Sequence, residues 1–150
     1  MKHLLTLVIV LTVCAGAFAQ VENPVKWSYA SKKINGSESM VYLKASIQDG
    51  WHIYSLTAGG DSPLKTAFTF SPSKVYTLVG KTIEPSPVKK YEPILKMDIS
   101  YFEKSVIFQQ KIKLTAANVT SVKGKLEYMA CNDHKCNPSE QIDFNIPIGK

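Results

Sequence analysis

Two cysteines near the C-terminal end are the residues of this sequence whose types and spacing could do chemistry. Cys131 and Cys136 are separated by four polar residues, and Pro138 follows two positions later. Apolar and polar residues alternate on both sides of the pair, which predicts a position at or beside the tip of a β-hairpin. Two thiols this close can form a disulfide. That disulfide could exchange with other thiols or close the turn permanently.

Both cysteines are predicted to lie near the protein surface. Tyr128 and Ala130 belong to the inward-facing set of the preceding strand, so Cys131 falls on the opposite face unless the turn begins there. Cys136 lies beyond the polar tip. A thiol at the surface can exchange with a partner, whereas a buried structural cysteine is inert. His134, between the two cysteines, could stabilise a thiolate.

The same residues allow two other interpretations. A disulfide that closes a six-residue loop contributes about 2 kcal/mol, compared with about 3 kcal/mol for fifteen residues. A permanent bridge of this kind is therefore the alternative, in a non-enzymatic binding module. Cys131, His134 and Cys136, together with His52, could instead bind zinc or copper. No second Cys-x-x-Cys or His-x-x-x-His pair accompanies them, so we predict no metal and no other cofactor.

The composition disfavours nucleic-acid binding and hydrolysis. The chain has a formal net charge of +6, but all of its basic residues are lysines and they are scattered. Arginine is the usual side chain for bidentate recognition of phosphates and bases, so we predict a solvated surface and no nucleic-acid partner. No nucleophile elbow, zinc-protease motif or phosphate-binding glycine loop is present.

The first residues are typical of a secretory signal. Residues 1–19 contain a basic start, an apolar run of about ten residues and a small-x-small cleavage site that ends at Ala19. The run is shorter than the roughly 20 residues that a membrane-spanning helix needs. Lipidation at Cys14 is disfavoured because Val13 occupies a position that should be small. We predict a mature domain of residues 20–150, periplasmic or secreted, with no membrane span after cleavage.

The mature chain reads as strands separated by turns. The clearest alternating sets of apolar residues are Val41, Leu43, Ala45 and Ile47; Val106, Phe108, Ile112 and Leu114; Val122, Leu126, Tyr128 and Ala130; and Ile142, Phe144, Ile146 and Ile148. About eight strands predict an all-β fold, an immunoglobulin-like antiparallel β-sandwich. Three prolines in residues 84–93 predict a long irregular excursion there, because proline cannot donate to a strand ladder.

These residues together resemble the N-terminal periplasmic domain of the thiol:disulfide interchange protein DsbD, in a free-standing, Bacteroidetes-like form. The resemblance covers residues 25–148. It is carried by the segment Asp49-Gly50-Trp51-His52-Ile53-Tyr54, by Tyr101, and by the block Tyr128, Cys131, Cys136 and Pro138. It implies an immunoglobulin-like domain of a protein-disulfide reductase. Such a domain passes electrons from a thioredoxin-like donor to periplasmic disulfide-containing acceptor proteins.

The resemblance also implies roles for individual residues. Cys136 would form the mixed disulfide with a partner, and Cys131 would resolve it. Tyr54 matches a tyrosine that packs near the cysteines, and His52 replaces an aromatic residue of the family. The family also has a cap loop that shields the cysteine pair, and its apolar tip aligns best with Pro93, Ile94 and Leu95.

Overall fold

The computed structural model describes residues 23–58, 64–92, 96–116 and 119–149. Within these ranges every regular element is a β-strand, and no helix is long and apolar enough to cross a membrane. The strands are β1 (Val25–Lys33), β2 (Glu38–Ile47), β3 (His52–Tyr54), β4 (Ala67–Phe70), β5 (Tyr76–Ile83), β6 (Val88–Glu92), β7 (Met97–Glu103), β8 (Ser105–Leu114), β9 (Ser121–Tyr128), β10 (Ala130–Cys131) and β11 (Glu140–Pro147). All strand pairs are antiparallel. The predicted all-β class is confirmed.

The strands form three sheets that enclose one main core. Sheet 1 has the order β1-β2-β8-β5, sheet 2 the order β10-β3-β7-β6, and sheet 3 the order β11-β9-β4. Phe108 of sheet 1 shows how they pack, since its ring lies 5.8 Å from that of Phe102 in sheet 2 and 5.0 Å from that of Phe68 in sheet 3. Sheet 1 therefore faces the other two across the core, as in the predicted immunoglobulin-like sandwich.

The alternation in the sequence places the core residues correctly. Val41, Leu43 and Ala45 of β2 are buried, and they lie opposite Gln110, Phe108 and Val106 of β8. Residues opposite each other in an antiparallel pair point to the same face. The polar member of this face, Gln110, is buried but satisfied, because it accepts a hydrogen bond from the Thr82 hydroxyl and donates to the Lys111 carbonyl.

The prediction of an irregular excursion over residues 84–93 is wrong for half of that segment. Residues 88–92 form β6, the edge strand of sheet 2, paired with β7. Pro85 and Pro87 precede this strand and Pro93 follows it in the sequence. None of the three prolines interrupts the ladder, so the strand keeps all of its hydrogen-bond donors.

Sheet 2 has two faces, and both carry packed residues. Ile53 pairs with Phe102 and with Ala130, and all three belong to the main core. The neighbouring register pairs join His52 to Cys131 and Tyr54 to Tyr101, so these side chains lie on the opposite face. We call this opposite face the outer face of sheet 2. A separate cluster covers part of it, formed by Tyr54, Ala58, Ile99 and Cys131; we call it the satellite cluster.

Candidate active site

Cys131 and Cys136 form a disulfide across a tight turn. Cys131 ends β10, and Cys136 pairs with it through an isolated antiparallel bridge. The prediction that the pair flanks a hairpin tip is therefore confirmed.

Asn132 shapes the tip between the two cysteines. Its side-chain oxygen accepts hydrogen bonds from the backbone N–H groups of His134 at 2.9 Å and Lys135 at 2.8 Å. Its own backbone N–H donates to the Lys135 carbonyl at 2.8 Å. This is an Asx turn, in which an asparagine side chain replaces a backbone acceptor. An asparagine directly after the first cysteine is the sequence signal for this turn, and its role was not among the predictions.

The two sulfur-bearing residues differ in exposure. Cys136 is exposed, whereas Cys131 is only 2% exposed. The prediction that both lie near the surface is wrong for Cys131. The strand register did place Cys131 away from the main core, but the outer face of sheet 2 is covered at this point by the satellite cluster. Local alternation gives the direction of a side chain and does not show what covers that side.

Tyr54 makes the most direct contact with the buried sulfur. Its hydroxyl donates a hydrogen bond to Cys131 Sγ at 3.5 Å. Tyr54 is itself buried on β3, and the hydroxyl of Thr66 fixes its backbone by donating to the Tyr54 carbonyl at 2.6 Å. A tyrosine next to the cysteines agrees with the position that the resemblance assigned to it.

A pocket of about 220 Å³ opens beside the disulfide. Both cysteines contribute to its wall. The other lining residues come from sheet 2 and the tip, and most are charged, polar or aromatic: His52, Tyr54, Lys90, Ile99, Tyr101, Glu103, Asn132 and Asp133. Burial lowers the pKa of His52, and Lys90 lowers it further, while the nearby Glu103 and Asp133 carboxylates partly raise it. The pocket thus holds a neutral imidazole next to the sulfur pair near neutral pH.

The other predicted supporting residues have different outcomes. His134 lies exposed on the tip and is held through its backbone N–H; its assistance to a thiolate stays a prediction. Pro93, Ile94 and Leu95 lie outside the described residues, as do the signal peptide and Cys14. Within the described residues, no three His, Cys, Asp or Glu side chains come together to hold a metal ion.

Lys135 and Trp51 form a contact that the sequence did not indicate. The Lys135 ammonium lies 5.5 Å from the centroid of the Trp51 ring, and Trp51 is buried immediately before β3. A cation over an aromatic face contributes about 0.5–1 kcal/mol at an exposed site. This contact ties the tip to the strand that carries His52 and Tyr54.

A disulfide with one buried and one exposed cysteine, set at the edge of a β-sandwich, is suited to thiol:disulfide interchange. The sequence comparison agrees with this class. Residues 20–147 match the family described as Thiol:disulfide interchange protein DsbD, N-terminal. The match spans most of the chain, so the chain belongs to this family. No curated protein matches the sequence at a significant level.

Solved structures of similar fold include domains from two bacteria. The N-terminal domain of Neisseria meningitidis DsbD in the reduced form matches with a TM-score of 0.53 and 14% identity, covering 81% of this chain and 86% of that one. The complex of the DsbD and PilB N-terminal domains from the same organism matches with a TM-score of 0.55 and 15% identity, over 84% and 87% of the chains.

The N-terminal periplasmic domain of ScsB from Proteus mirabilis also matches, with a TM-score of 0.58 and 17% identity. That match covers 83% of this chain but 46% of the ScsB chain. At such identities the likeness establishes the fold.

Proposed function

We propose that this protein is a periplasmic module that passes electrons by thiol:disulfide exchange through Cys131 and Cys136. The observation that carries the proposal is the difference in exposure between the two cysteines. A partner thiolate must reach one sulfur of a disulfide to attack it. Here the sulfur it can reach is that of Cys136, which supports Cys136 as the contact residue and Cys131 as the resolving residue.

The exchange runs in two steps, each a thiolate attack on a disulfide sulfur. In reduction, a donor thiolate attacks Cys136 Sγ, a mixed disulfide forms, and the electron pair of the broken bond passes to Cys131 Sγ. The second donor thiol then attacks the mixed disulfide and frees Cys136. Two electrons have moved from donor to module, and the reverse sequence delivers them to an acceptor disulfide.

The hydrogen bond from Tyr54 supports this division of labour. The first reduction step leaves negative charge on Cys131 Sγ, and a hydrogen-bond donor stabilises a thiolate more strongly than a disulfide sulfur because bonds to charged acceptors are stronger. Tyr54 would therefore favour the departure of Cys131 when a partner attacks Cys136.

The partners and the compartment belong to the same proposal. A signal peptide of residues 1–19 and a mature domain of residues 20–150 would place the module in the periplasm, where the similar ScsB domain is described as residing. We propose a thioredoxin-like donor and disulfide-containing acceptor proteins. The solved complex of a DsbD N-terminal domain with a PilB domain supports docking of a protein partner on this fold.

Substitution of each cysteine in turn tests the proposed roles. Cys136→Ser should abolish exchange with a thioredoxin-like donor while leaving the fold intact, because no reachable sulfur remains. Cys131→Ser should instead trap the mixed disulfide, which is detectable by mass spectrometry. Exchange retained by Cys136→Ser would rule out Cys136 as the contact residue.

The reduction potential distinguishes a disulfide that exchanges with partners from a permanent structural disulfide. Equilibration with glutathione buffers should give a value between about −180 and −270 mV, the range of exchange proteins. A value below about −300 mV is typical of structural disulfides. Such a value would mark the chain as a binding module with a permanent hairpin disulfide.

A further inference from the structure

His52 lies directly opposite the buried cysteine. The two residues are register partners on β3 and β10, and both line the pocket beside the disulfide. Residues opposite each other in an antiparallel pair have Cβ atoms about 4.5–5.5 Å apart. The imidazole and Cys131 Sγ therefore share one face of the sheet and one pocket, within reach of each other through a single water.

The ring of His52 is held in place by two tyrosines. Its centroid lies 4.9 Å from the Tyr101 ring and 5.5 Å from the Tyr54 ring. Tyr54 in turn donates to Cys131 Sγ. The buried sulfur, a hydrogen-bond donor and an imidazole thus converge at one place on the outer face of sheet 2.

The proposed exchange creates a need for a base at this place. Cys131 must be a thiolate when it attacks the mixed disulfide on Cys136, but burial in apolar surroundings raises the pKa of a thiol. Tyr54 cannot accept the proton, because a phenol is itself protonated at neutral pH. Glu103 lies one strand farther away, opposite His52 on its other side, and Asp133 is exposed on the tip.

We propose that His52 accepts the proton of the Cys131 thiol when the mixed disulfide is resolved. The S–H proton moves to the imidazole, and Cys131 Sγ attacks Cys136 Sγ. The bond between Cys136 and the partner sulfur breaks, and its electron pair leaves as the partner thiolate. In the reverse direction, the imidazolium returns the proton to Cys131. This inference rests on the proposed exchange function.

The charges around His52 suit a base that is neutral at rest. Burial and Lys90 lower its pKa, against the opposite influence of Glu103 on β7 and Asp133 on the tip. The rings of Tyr54 and Tyr101 also pack against it. An imidazole that is unprotonated near pH 7 can take a proton, whereas an imidazolium cannot.

A two-phase thiol assay separates this role from contact with the partner. The reduced chain is mixed with one equivalent of dithiobis(nitrobenzoate). Attack by Cys136 releases the first thionitrobenzoate at a rate that depends on concentration. Attack by Cys131 then releases the second at a rate that does not. Only the second phase should require His52.

His52→Phe keeps a ring between the two tyrosines and removes the base. We expect the second phase to slow by about tenfold or more at pH 7, since general-base catalysis contributes at least that much, with the first phase unchanged. In the unmodified chain the second phase should fall as the pH drops through the pKa of His52. In His52→Phe the pH dependence of the second-phase rate should reflect only the ionisation of the Cys131 thiol.

A second variant guards against a packing effect. In His52→Ala, added imidazole should restore part of the second phase, while the same addition should leave the unmodified chain unchanged. Equal slowing of both phases, or second-phase rates in His52→Phe that match those of the unmodified chain, would overturn the inference. If the unmodified chain released one thionitrobenzoate alone, the exchange function would fall as well.

Discussion

The main core and the satellite cluster bury residues for different purposes. The main core draws on all three sheets and contains fully buried large side chains such as Phe108, Leu43 and Ile53. The satellite cluster has four buried members on the outer face of sheet 2, and one of them is Cys131. The free energy of folding gained from the hydrophobic effect increases with the apolar area that is buried. The main core therefore stabilises the fold far more than the satellite cluster does.

This difference explains how a reactive pair can lie on a rigid domain. A sulfur buried in the main core would be reached only by unfolding much of the sandwich. A sulfur beneath a small cluster on the other side of the sheet is shielded from solvent at little cost to the rest of the fold. Regions with few buried contacts open locally at lower free energy than the core, which suits a disulfide that partners must enter.

Truncation of a side chain in the main core should have the largest effect on stability and no effect on the rate of thiol:disulfide exchange. Phe108→Ala removes a fully buried ring that packs against three other aromatic rings, and we expect the free energy of unfolding to fall by about 3–5 kcal/mol. Urea unfolding measures this loss. Exchange rates per folded molecule should stay unchanged, and a loss confined to exchange would contradict the division between the two clusters.

Two buried tyrosines offer a matched test of intermediate size. Tyr54 donates to Cys131 Sγ in the satellite cluster, and Tyr128 in the main core donates to the Glu140 carboxylate at 2.9 Å. Each Tyr→Phe change should cost about 1–2 kcal/mol of stability, since it removes one hydrogen bond.

The redox effect should belong to Tyr54→Phe alone. Loss of its hydrogen bond disfavours the reduced form, so the reduction potential should become more negative by about 10–30 mV, as 30 mV corresponds to 1.4 kcal/mol. Equilibration of both variants with glutathione measures the shift. An equal shift in Tyr128→Phe would show that the effect is not local to the satellite cluster.

The smallest expected effect is a loss of stability in acid through His52. Burial lowers its pKa in the folded protein below the ordinary 6.5, so the unfolded chain binds the proton more tightly. Above pH 6.5 His52 is neutral in both the folded and the unfolded state, so it does not lower the free energy of unfolding. As the pH falls below 6.5 towards the pKa of His52 in the folded protein, proton binding stabilises the unfolded state, and the free energy of unfolding decreases.

His52→Phe removes this titration, so the comparison of the two proteins isolates it. The melting temperature of the unmodified chain should fall relative to that of His52→Phe between pH 7 and pH 5. Glu103 and Asp133 oppose the effect and keep it small. If the melting temperatures of the two proteins changed with pH by the same amount, His52 would have the same pKa in the folded and unfolded states.

Most of the fold could be predicted from local patterns in the sequence. Alternation placed Val41 and Leu43 in the core, and it did so because side chains on a strand must point to opposite faces. The prediction of an irregular segment from the number of prolines was wrong at β6, because the position of prolines relative to a strand matters more than their number. The site was predicted in part: the disulfide partners and Tyr54 were named, whereas Asn132, Lys90 and Glu103 were not.

The sequence by itself determined that two cysteines flank a polar hairpin tip in an all-β chain. Only the tertiary structure decided which of them is hidden. Cys131 is buried because β10 pairs with β3 and brings it to Tyr54, a residue 77 positions away. The burial of a sulfur depends on what packs over its face of the sheet. Residues so distant in sequence leave no trace in the local pattern around Cys131 and Cys136.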